Sequence, residues 1–352
     1  MNASLSVIRG LKRTALAGAS AFLWLPTLGQ AEETTIRFQL DWRFEGPAAP
    51  FLMAEARGYF ADEGLDVQID SGSGSAGAIN RVASGAYEMG FGDLNALVEF
   101  LAENPDGPGI SGVYIVYDGT PAAVFARKDS GIESPADLAG KTIAAPAFDT
   151  GYRAWGIFAE ANDLESDAVE WQNVDPSLRE TLLSRGDVDA ITGFYFTSLL
   201  NLEERGMSEE ELTIMPFSDY GVPLYGNAII ASDEFAEEHP DAVQGFLRAF
   251  NRALGETLED PEAAIEYVRA RDSLIDVDME TRRLKLALNS VVDTPDAREY
   301  GVGGVDEERL RDAIQLVAEA YDLPTLPSPD QVFDSRYLPP SDERQLFDQE
   351  GE

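Results

Sequence analysis

The chain of 352 residues contains no cysteine, only one histidine and only four lysines. Without cysteine it has no disulfides, no thiolate metal sites and no iron–sulfur ligands. The single histidine, His239, leaves no serine–histidine–acid arrangement, and its setting Glu-His-Pro-Asp predicts the exposed start of a helix. The sequence therefore predicts no catalytic residue, no metal and no other cofactor, and we expect the protein not to be an enzyme.

Positive charge is also scarce, with 26 lysine and arginine residues against 64 acidic residues and a formal net charge of −38. A field of this sign repels nucleic acid and anionic membranes, so neither is expected as a partner. Like charges also repel one another within a folded chain unless salt screens them. The composition therefore indicates a host that lives in brine.

The first 31 residues have the pattern of a secretion signal. Arg9, Lys12 and Arg13 precede a mostly apolar run at 15–25, and Gly-Gln-Ala at 29–31 is typical of a cleavage site. The apolar run is too short to span a bilayer. We expect a signal peptide over 1–31, cleaved after about Ala31, and a mature protein outside the cytoplasm.

The stretch 36–70 predicts a strand, a helix and a strand. Apolar residues alternate with polar ones over 36–40 and again over 65–70, which is the two-residue period of a half-buried strand. Helical spacing over 48–59 gives a connection long enough for a parallel crossover. Ligands of such α/β sheets bind at the carboxyl ends of the strands.

Polar and aromatic residues follow the predicted strands of this first half. Trp42 is either a stacking plate for a flat ligand or a core residue that closes the sheet. The glycine- and serine-rich turn at 71–77 either presents backbone amides to a polar ligand or is a flexible turn with a serine cap. Asp93 either contacts ligand or caps the next helix. The contacts predicted here are Asp41, Trp42, Glu45, Ser73, Ser75, Asp93 and Asn95.

A similar arrangement recurs in the second half of the chain. The loop after a strand at 142–145 opens a helix, and a strand at 188–192 ends in three aromatics, of which Phe194 or Phe196 is assigned to the core. The contacts predicted here are Phe148, Asp149, Tyr152, Arg153, Tyr195, Tyr225 and Asn227. Arg43 and Arg153 either contact an anionic ligand or only neutralise neighbouring acids.

Five segments together resemble a known family. They are LDWRFEGPAAPFLMAEARGYFADEGLDV from residue 40, INRVASGAYEMGFGD from 79, SPADLAGKTIAAP from 134, RGDVDAITGFYF from 185 and HPDAVQGFLRAF from 239. Their order and spacing resemble the periplasmic substrate-binding proteins of ABC transporters, in the nitrate, sulfonate, taurine and thiamine-pyrimidine class. The resemblance implies an α/β, two-lobed periplasmic binding protein fold of type II, with the ligand in the cleft between the lobes and hinge closure around it.

Two crossings of the chain divide the predicted fold. Residues 32–119 and 228–330 are expected to form lobe 1, residues 120–227 lobe 2, and the proline-rich residues 331–352 an extended tail. The resemblance also implies a periplasmic, monomeric protein whose partner is an ABC permease with its ATPase.

The ligand implied by the resemblance is a small organic nitrogen or sulfur compound of the thiamine-pyrimidine, taurine, sulfonate or nitrate class. Pyrimidine binders of this class carry a Gly-x-Tyr-x-x-x-Glu pattern; Gly193 and Tyr195 match it, but Leu199 replaces the glutamate. Two alternatives remain. One is a binding protein that feeds a sensor. The other is a thiamine-pyrimidine synthase, which in this superfamily consumes a histidine and a lysine-bound pyridoxal phosphate.

Overall fold

The computed structural model describes residues 33–347, so the expected signal peptide at 1–31 lies outside the described residues. Within this part the strands are β1 (Thr34–Gln39), β2 (Leu65–Asp70), β3 (Met89–Asp93), β4 (Ile110–Ile115), β5 (Ala122–Arg127), β6 (Thr142–Ala145), β7 (Glu170–Asn173), β8 (Ala190–Phe194), β9 (Leu212–Pro216) and β10 (Asn227–Ser232).

The α-helices of the same part are α1 (Ala49–Ala56), α2 (Tyr59–Asp62), α3 (Ser75–Ala83), α4 (Leu94–Glu103), α5 (Thr150–Arg153), α6 (Trp155–Ala161), α7 (Arg179–Arg185), α8 (Tyr195–Glu204), α9 (Asp233–Glu238), α10 (Pro240–Glu259), α11 (Pro261–Arg271), α12 (Val277–Ala287), α13 (Pro295–Tyr300), α14 (Glu307–Ala320) and α15 (Pro329–Val332). A π-helical turn at Leu288–Val292 continues α12. No helix of the described residues combines the length and the apolar character needed to cross a membrane.

The strands form two five-stranded sheets with the same topology. The order is β2-β1-β3-β10-β4 in the first sheet and β7-β6-β8-β5-β9 in the second. In each sheet the first three strands are parallel and the last two pair antiparallel. The crossover predicted over 36–70 is present, since β1 and β2 pair in parallel with Ile36 opposite Val67. This mixed α/β arrangement confirms the predicted fold class.

The chain passes between the sheets twice, from β4 to β5 and from β9 to β10. The two passing segments lie side by side, where the Thr120 amide donates to the Leu224 carbonyl (3.0 Å) and the Gly226 amide donates to the Tyr117 carbonyl (2.9 Å). β10 lies between β3 and β4 in the first sheet, although it follows all five strands of the second sheet in the sequence.

Burial follows the sequence pattern closely in the first sheet. β2 alternates buried and exposed residues along its whole length, as predicted. Gln39 departs from the pattern, since it is buried and its amide donates to the carbonyls of Leu40 (3.0 Å) and Ser71 (2.7 Å). The core on one face of this sheet includes Phe38, whose ring lies 4.9 Å from that of Phe246 on α10.

The end of the chain differs from the extended tail that its prolines predicted. Pro329 begins the short helix α15, which Ser328 and Gln331 cap, and a 3-10 turn follows at Ser335–Tyr337. Phe333 is buried, and the Asp334 amide donates to the Gly112 carbonyl (2.8 Å). Proline is compatible with the first turn of a helix, so the prolines do not keep this segment extended. The apolar residues between them pack on the first sheet.

Candidate ligand-binding cleft

A cavity of about 110 Å³ lies between the two sheets. One side of the cavity is formed by the loop after β1 and the start of α3. The other side is formed by the loop before α5, the start of α7 and the junction of β8 and α8. Its lining is Leu40, Asp41, Trp42, Arg43, Glu45, Pro47, Ala48, Gly74, Ser75, Phe91, Tyr117, Pro146, Phe148, Asp149, Thr150, Pro176, Arg179, Phe194, Phe196 and Thr197. The carboxyl ends of β1, β6 and β8 meet here, where α/β sheets bind ligands.

Aromatic side chains form much of the wall. Trp42 is half-buried and lines the cavity. Phe148 enters from the opposite side with 49% of its surface exposed. The two sides approach closely at Gly74 (φ +133°), where an added Cβ would lie 3.3 Å from the Phe148 ring. A flat, largely apolar ligand suits such walls.

Two carboxylates from the loop after β1 face the cavity. The Asn227 amide donates to Asp41 Oδ2 (2.8 Å), and burial raises the pKa of Asp41 to about 7 in spite of this hydrogen bond. Burial also raises the pKa of Glu45, against the attraction of Arg283, whose Nε lies 3.6 Å from Glu45 Oε2. Carboxylates with raised pKa values in a cleft are typical of binding or catalytic sites.

Arg179 supplies a guanidinium to the second wall, but acids already hold it. Its Nη1 lies 3.0 Å from Asp149 Oδ2 and its Nη2 2.8 Å from Glu180 Oε1. Nη2 also donates to Ser198 Oγ (3.0 Å). Gly193 leaves room for this network, since a Cβ there would lie 2.2 Å from Ser198 Oγ. An arginine whose charge is matched by two carboxylates is a poor receptor for a further anion.

A second buried arginine, Arg283 of α12, lies behind the wall. Its Nε donates to Glu280 (3.1 Å), and its Nη1 donates to the carbonyls of Phe196 (3.3 Å) and Thr197 (3.2 Å). Glu280 in turn accepts from the Gly46 amide (2.6 Å). The pair therefore ties α12 to both sides of the cavity.

Negative charge predominates in and directly behind the described walls. The carboxylates there outnumber the guanidiniums by six to three, being Asp41, Glu45, Asp93, Asp149, Glu180 and Glu280 against Arg43, Arg179 and Arg283. Arg43 is exposed, with its guanidinium 5.5 Å from the Trp42 ring centre. The arrangement suits a ligand that donates hydrogen bonds or carries positive charge.

Three of the sequence-predicted residues lie behind the wall and support it. Asp93 caps α4, accepting from the Asn95 amide (2.7 Å), and accepts from Thr150 Oγ1 (2.9 Å) across the cleft. Burial raises the pKa of Asp93 despite these bonds. Asn95 Nδ2 donates to the Tyr225 carbonyl (2.8 Å), and Asn227 orients Asp41.

The remaining predicted residues do not line the cavity. Ser73 is exposed in its turn. Tyr152 meets Trp171 edge-on at 4.8 Å, and Arg153 forms an ion pair with Glu99. Tyr195 packs against the core of the second sheet, while Tyr225 lies beneath Arg309 at the passing segments. A ligand contact by any of these residues stays a prediction, as it does for Asp41, Trp42, Glu45, Ser75, Phe148 and Asp149, which the structure brings together.

Sequence reasoning missed several lining residues. Thr150 directly follows the predicted Asp149 and belonged to the same helix-opening loop, a signal that was available. Arg179 had no local signal, because only the folded chain brings it to Asp149. Phe194 or Phe196 was assigned to the core; the two rings pack on one another at 5.9 Å, and both line the cavity.

The two sheets and the cleft define a protein with the periplasmic binding protein fold. The periplasmic aliphatic sulphonate binding protein SsuA of Escherichia coli has a similar structure, with a TM-score of 0.66 and 15% identity over 85% of this chain and 91% of that one. A family model described as NMT1/THI5 like matches residues 47–264. The chain therefore belongs to the NMT1/THI5-like family, as its sequence resemblance predicted.

Curated relatives of two kinds match about two thirds of the chain. The formylaminopyrimidine-binding protein of Halalkalibacterium halodurans is 28% identical over 237 residues, 66% of this chain and 69% of that protein. The 4-amino-5-hydroxymethyl-2-methylpyrimidine phosphate synthase of Aspergillus parasiticus is 27% identical over 250 residues, again 66% and 69%.

The synthase relatives overturn the prediction that the chain is not an enzyme. Several proteins at 24–28% identity carry the name of this synthase. The scarcity of histidine and the absence of cysteine therefore did not justify that prediction. The lysine-bound pyridoxal phosphate that the resemblance implied for synthases does not fit this cavity, since none of the described lysines, Lys128, Lys141 and Lys285, lines it.

Proposed function

We propose that the protein is the solute-binding component of an ABC importer. Its ligand would be a small heteroaromatic nitrogen compound, neutral or cationic, that stacks on Trp42 and donates hydrogen bonds to Asp41 and Glu45. Membership of the family and the formylaminopyrimidine-binding relative support this proposal. A periplasmic location and a permease partner with its ATPase follow from the same proposal.

The charge of the cleft is the observation that carries the choice of ligand. Asp41 and Glu45 face the cavity, whereas the guanidinium of Arg179 is already bonded to Asp149 and Glu180. A sulfonate or nitrate would need a desolvated cation or several free donors at this place, and the other cation of the lining, Arg43, is exposed beside the Trp42 ring. An aromatic amine instead supplies the donors that the two carboxylates require.

The glutamate that pyrimidine binders carry is replaced by Leu199, which is buried in the core of the second sheet. Under this proposal Asp41 and Glu45, from the opposite wall, would meet the amino edge of the ring instead.

We also propose that the sheets belong to two lobes, residues 32–119 with 228–330 and residues 120–227, that close on the ligand. The cross-cleft bond from Thr150 to Asp93 and the contact of Gly74 with Phe148 would form as the lobes meet. The side-by-side passing segments would act as the hinge.

A thermal-shift screen in high salt tests the ligand class. The panel contains aminopyrimidines, purines, quaternary amines, taurine, alkanesulfonates and nitrate. A ligand that binds only the folded protein raises its melting temperature. We expect shifts with aminopyrimidines that Asp41→Asn and Glu45→Gln each reduce. Shifts confined to sulfonates or nitrate would contradict the proposed ligand class.

A pyrimidine synthase activity is the second candidate, favoured by the relatives named as synthases. Incubation with pyridoxal phosphate, borohydride reduction and mass spectrometry would reveal a modified lysine, and pyrimidine product would be measured after incubation of the protein with iron. Product formed in amounts up to one per protein molecule, together with chemical loss of His239, would favour the synthase. Reversible capture of an aminopyrimidine without product would favour the binding protein.

A further inference from the structure

A second cavity of about 190 Å³ lies beside the passing segments. The segment after β4 and the region from the π-helical turn to the start of α14 form its walls. The lining includes Val116, Asp118, Tyr225, Asp296, Val305, Asp306 and Arg344. None of these residues lines the cleft cavity between the sheets.

Arg344 is the unusual member of this lining. It is half-buried, and no ion pair joins it to an acid among the described residues, although the chain carries 64 acids. Its Nε and Nη1 donate only to the carbonyls of Pro339 (3.0 Å) and Val302 (2.6 Å). Burial lowers the pKa of Arg344, as expected for a desolvated cation without a counter-ion.

The backbone holds this guanidinium in a fixed place. The Val302 amide donates to the Arg344 carbonyl (3.0 Å), so the two residues bond in both directions. Gly303 (φ +89°) allows the loop to pass Tyr114, because a Cβ there would lie 2.5 Å from the Tyr114 ring. Such a preorganised donor loses little side-chain freedom when it binds a ligand.

The acids of the same cavity are already partnered by Arg309. Its Nη1 lies 3.1 Å from both Asp118 Oδ1 and Asp296 Oδ2, and its backbone amide donates to Asp306 Oδ1 (2.7 Å). Thr294 also donates to Asp118 Oδ2 (2.7 Å). Among the residues that line this cavity, Arg344 is therefore the only arginine, and no described carboxylate pairs with it.

We propose that this cavity is a second binding site, specific for a small organic carboxylate with a compact apolar body. The carboxylate would take the free donors of Arg344, an arrangement suited to the planar guanidinium. The apolar part would lie against Val116, Val305 and the ring of Tyr225. The repulsive field of the acidic chain makes loose anion binding elsewhere on the surface unfavourable, so a carboxylate that binds does so through a specific contact.

Calorimetric titration with isobutyrate tests the proposal, with isobutyramide as the neutral probe of the same shape. All titrations are made at the same ionic strength in sodium chloride. We expect isobutyrate to bind and isobutyramide to bind at least tenfold more weakly, because charge-assisted hydrogen bonds are the stronger kind. Equal affinity for the two probes, or no heat with isobutyrate, would overturn the proposal.

Variants locate the site. Arg344→Gln should weaken isobutyrate binding at least tenfold, whereas Arg311→Gln, at an exposed arginine of α14 outside the lining, should not. Val305→Phe fills the cavity and leaves Arg344 in place, so it should also abolish binding even if Arg344→Gln fails to fold. Binding retained in Val305→Phe, or lost in the cleft variant Trp42→Ala, would overturn the assignment to this cavity.

Discussion

Trp42 is the residue at which the two interpretations of the cleft diverge. It is half-buried and lines the cavity, and it is not among the buried core residues. We expect Trp42→Ala to abolish binding of the aminopyrimidine found in the screen, with little change in melting temperature. The reason is that the substitution removes a stacking surface and leaves the packed core intact.

Trp171 provides the matched control for this prediction. Its ring packs edge-on against Trp155 (5.5 Å) and Tyr152 (4.8 Å) and does not line the cavity. Trp171→Ala should therefore lower the free energy of unfolding by about 2–3 kcal/mol, less than a fully buried tryptophan, and leave ligand affinity unchanged. A large loss of stability in Trp42→Ala would instead make Trp42 a core residue.

Asp41 makes a second prediction at the residue scale, because burial raises its pKa to about 7. Between pH 4 and pH 7 the folded protein then holds a proton that the unfolded chain has released. The contribution of Asp41 to stability is therefore greatest at low pH and falls as the pH rises through this window. Asp41→Asn should remove that part of the slope, measured by urea unfolding at several pH values.

The exposed Asp66→Asn serves as the control for the pH experiment, since this side chain lies on the outer face of β2. It should leave the pH dependence of the free energy of unfolding as it is in the unsubstituted protein. An Asp41→Asn protein with the same slope as the unsubstituted protein would show that Asp41 titrates normally.

At the scale of elements, local pattern predicted much of the fold but only part of the cavity lining. Alternation located β2, and β6 has the predicted bounds 142–145 because it is a short apolar run between turn residues. The alternation predicted that Gln39, as a polar residue, would face outward. The side chain is instead buried, and its amide donates to backbone carbonyls. Arg179 is brought to the cleft only by the packing of α7, which no local pattern encodes.

Gly193, where β8 meets α8, tests how tightly these elements pack. A Cβ at this position would lie 2.2 Å from Ser198 Oγ and 2.8 Å from the Arg179 guanidinium. We expect Gly193→Ala to reduce the free energy of unfolding by about 2–3 kcal/mol, because the buried network must shift or lose hydrogen bonds. Chemical denaturation measures this loss.

Gly77→Ala is the matched control, since a Cβ at this position in α3 meets no atom within 4 Å. It should raise the free energy of unfolding by about 0.5–1 kcal/mol, because alanine favours the helix and restricts the unfolded chain. A Gly193→Ala protein as stable as the unsubstituted protein would mean that the Arg179 network adapts freely.

At the scale of the whole molecule, the proposed closure predicts a change of shape. Opening the cleft must break the bond from Thr150 to Asp93 and the ion pair of Arg153 with Glu99. Small-angle scattering should therefore give a smaller radius of gyration with ligand than without, near the value of about 20 Å expected for a compact chain of this length. An unchanged radius would argue against hinge closure.

The net charge of −38 also acts on the whole molecule. Repulsion among the acids destabilises the compact state, and salt screens this repulsion within a Debye length of about 3 Å near 1 M. We expect the melting temperature to rise by roughly 5 °C or more between about 0.1 M and about 2 M sodium chloride. A melting temperature that stays constant would remove the argument for a salt-adapted surface.

Substitutions of individual acidic residues distinguish the screening of charge repulsion from the other effects of salt on stability. Glu209 and Glu210 are exposed and form no ion pair among the described residues, so the double variant Glu209→Gln/Glu210→Gln should be more stable at low salt only. Glu266 pairs with Arg269, and Glu266→Gln should be slightly less stable at low salt. If screening is the cause, both differences disappear at high salt, because the charges that distinguish these variants no longer interact.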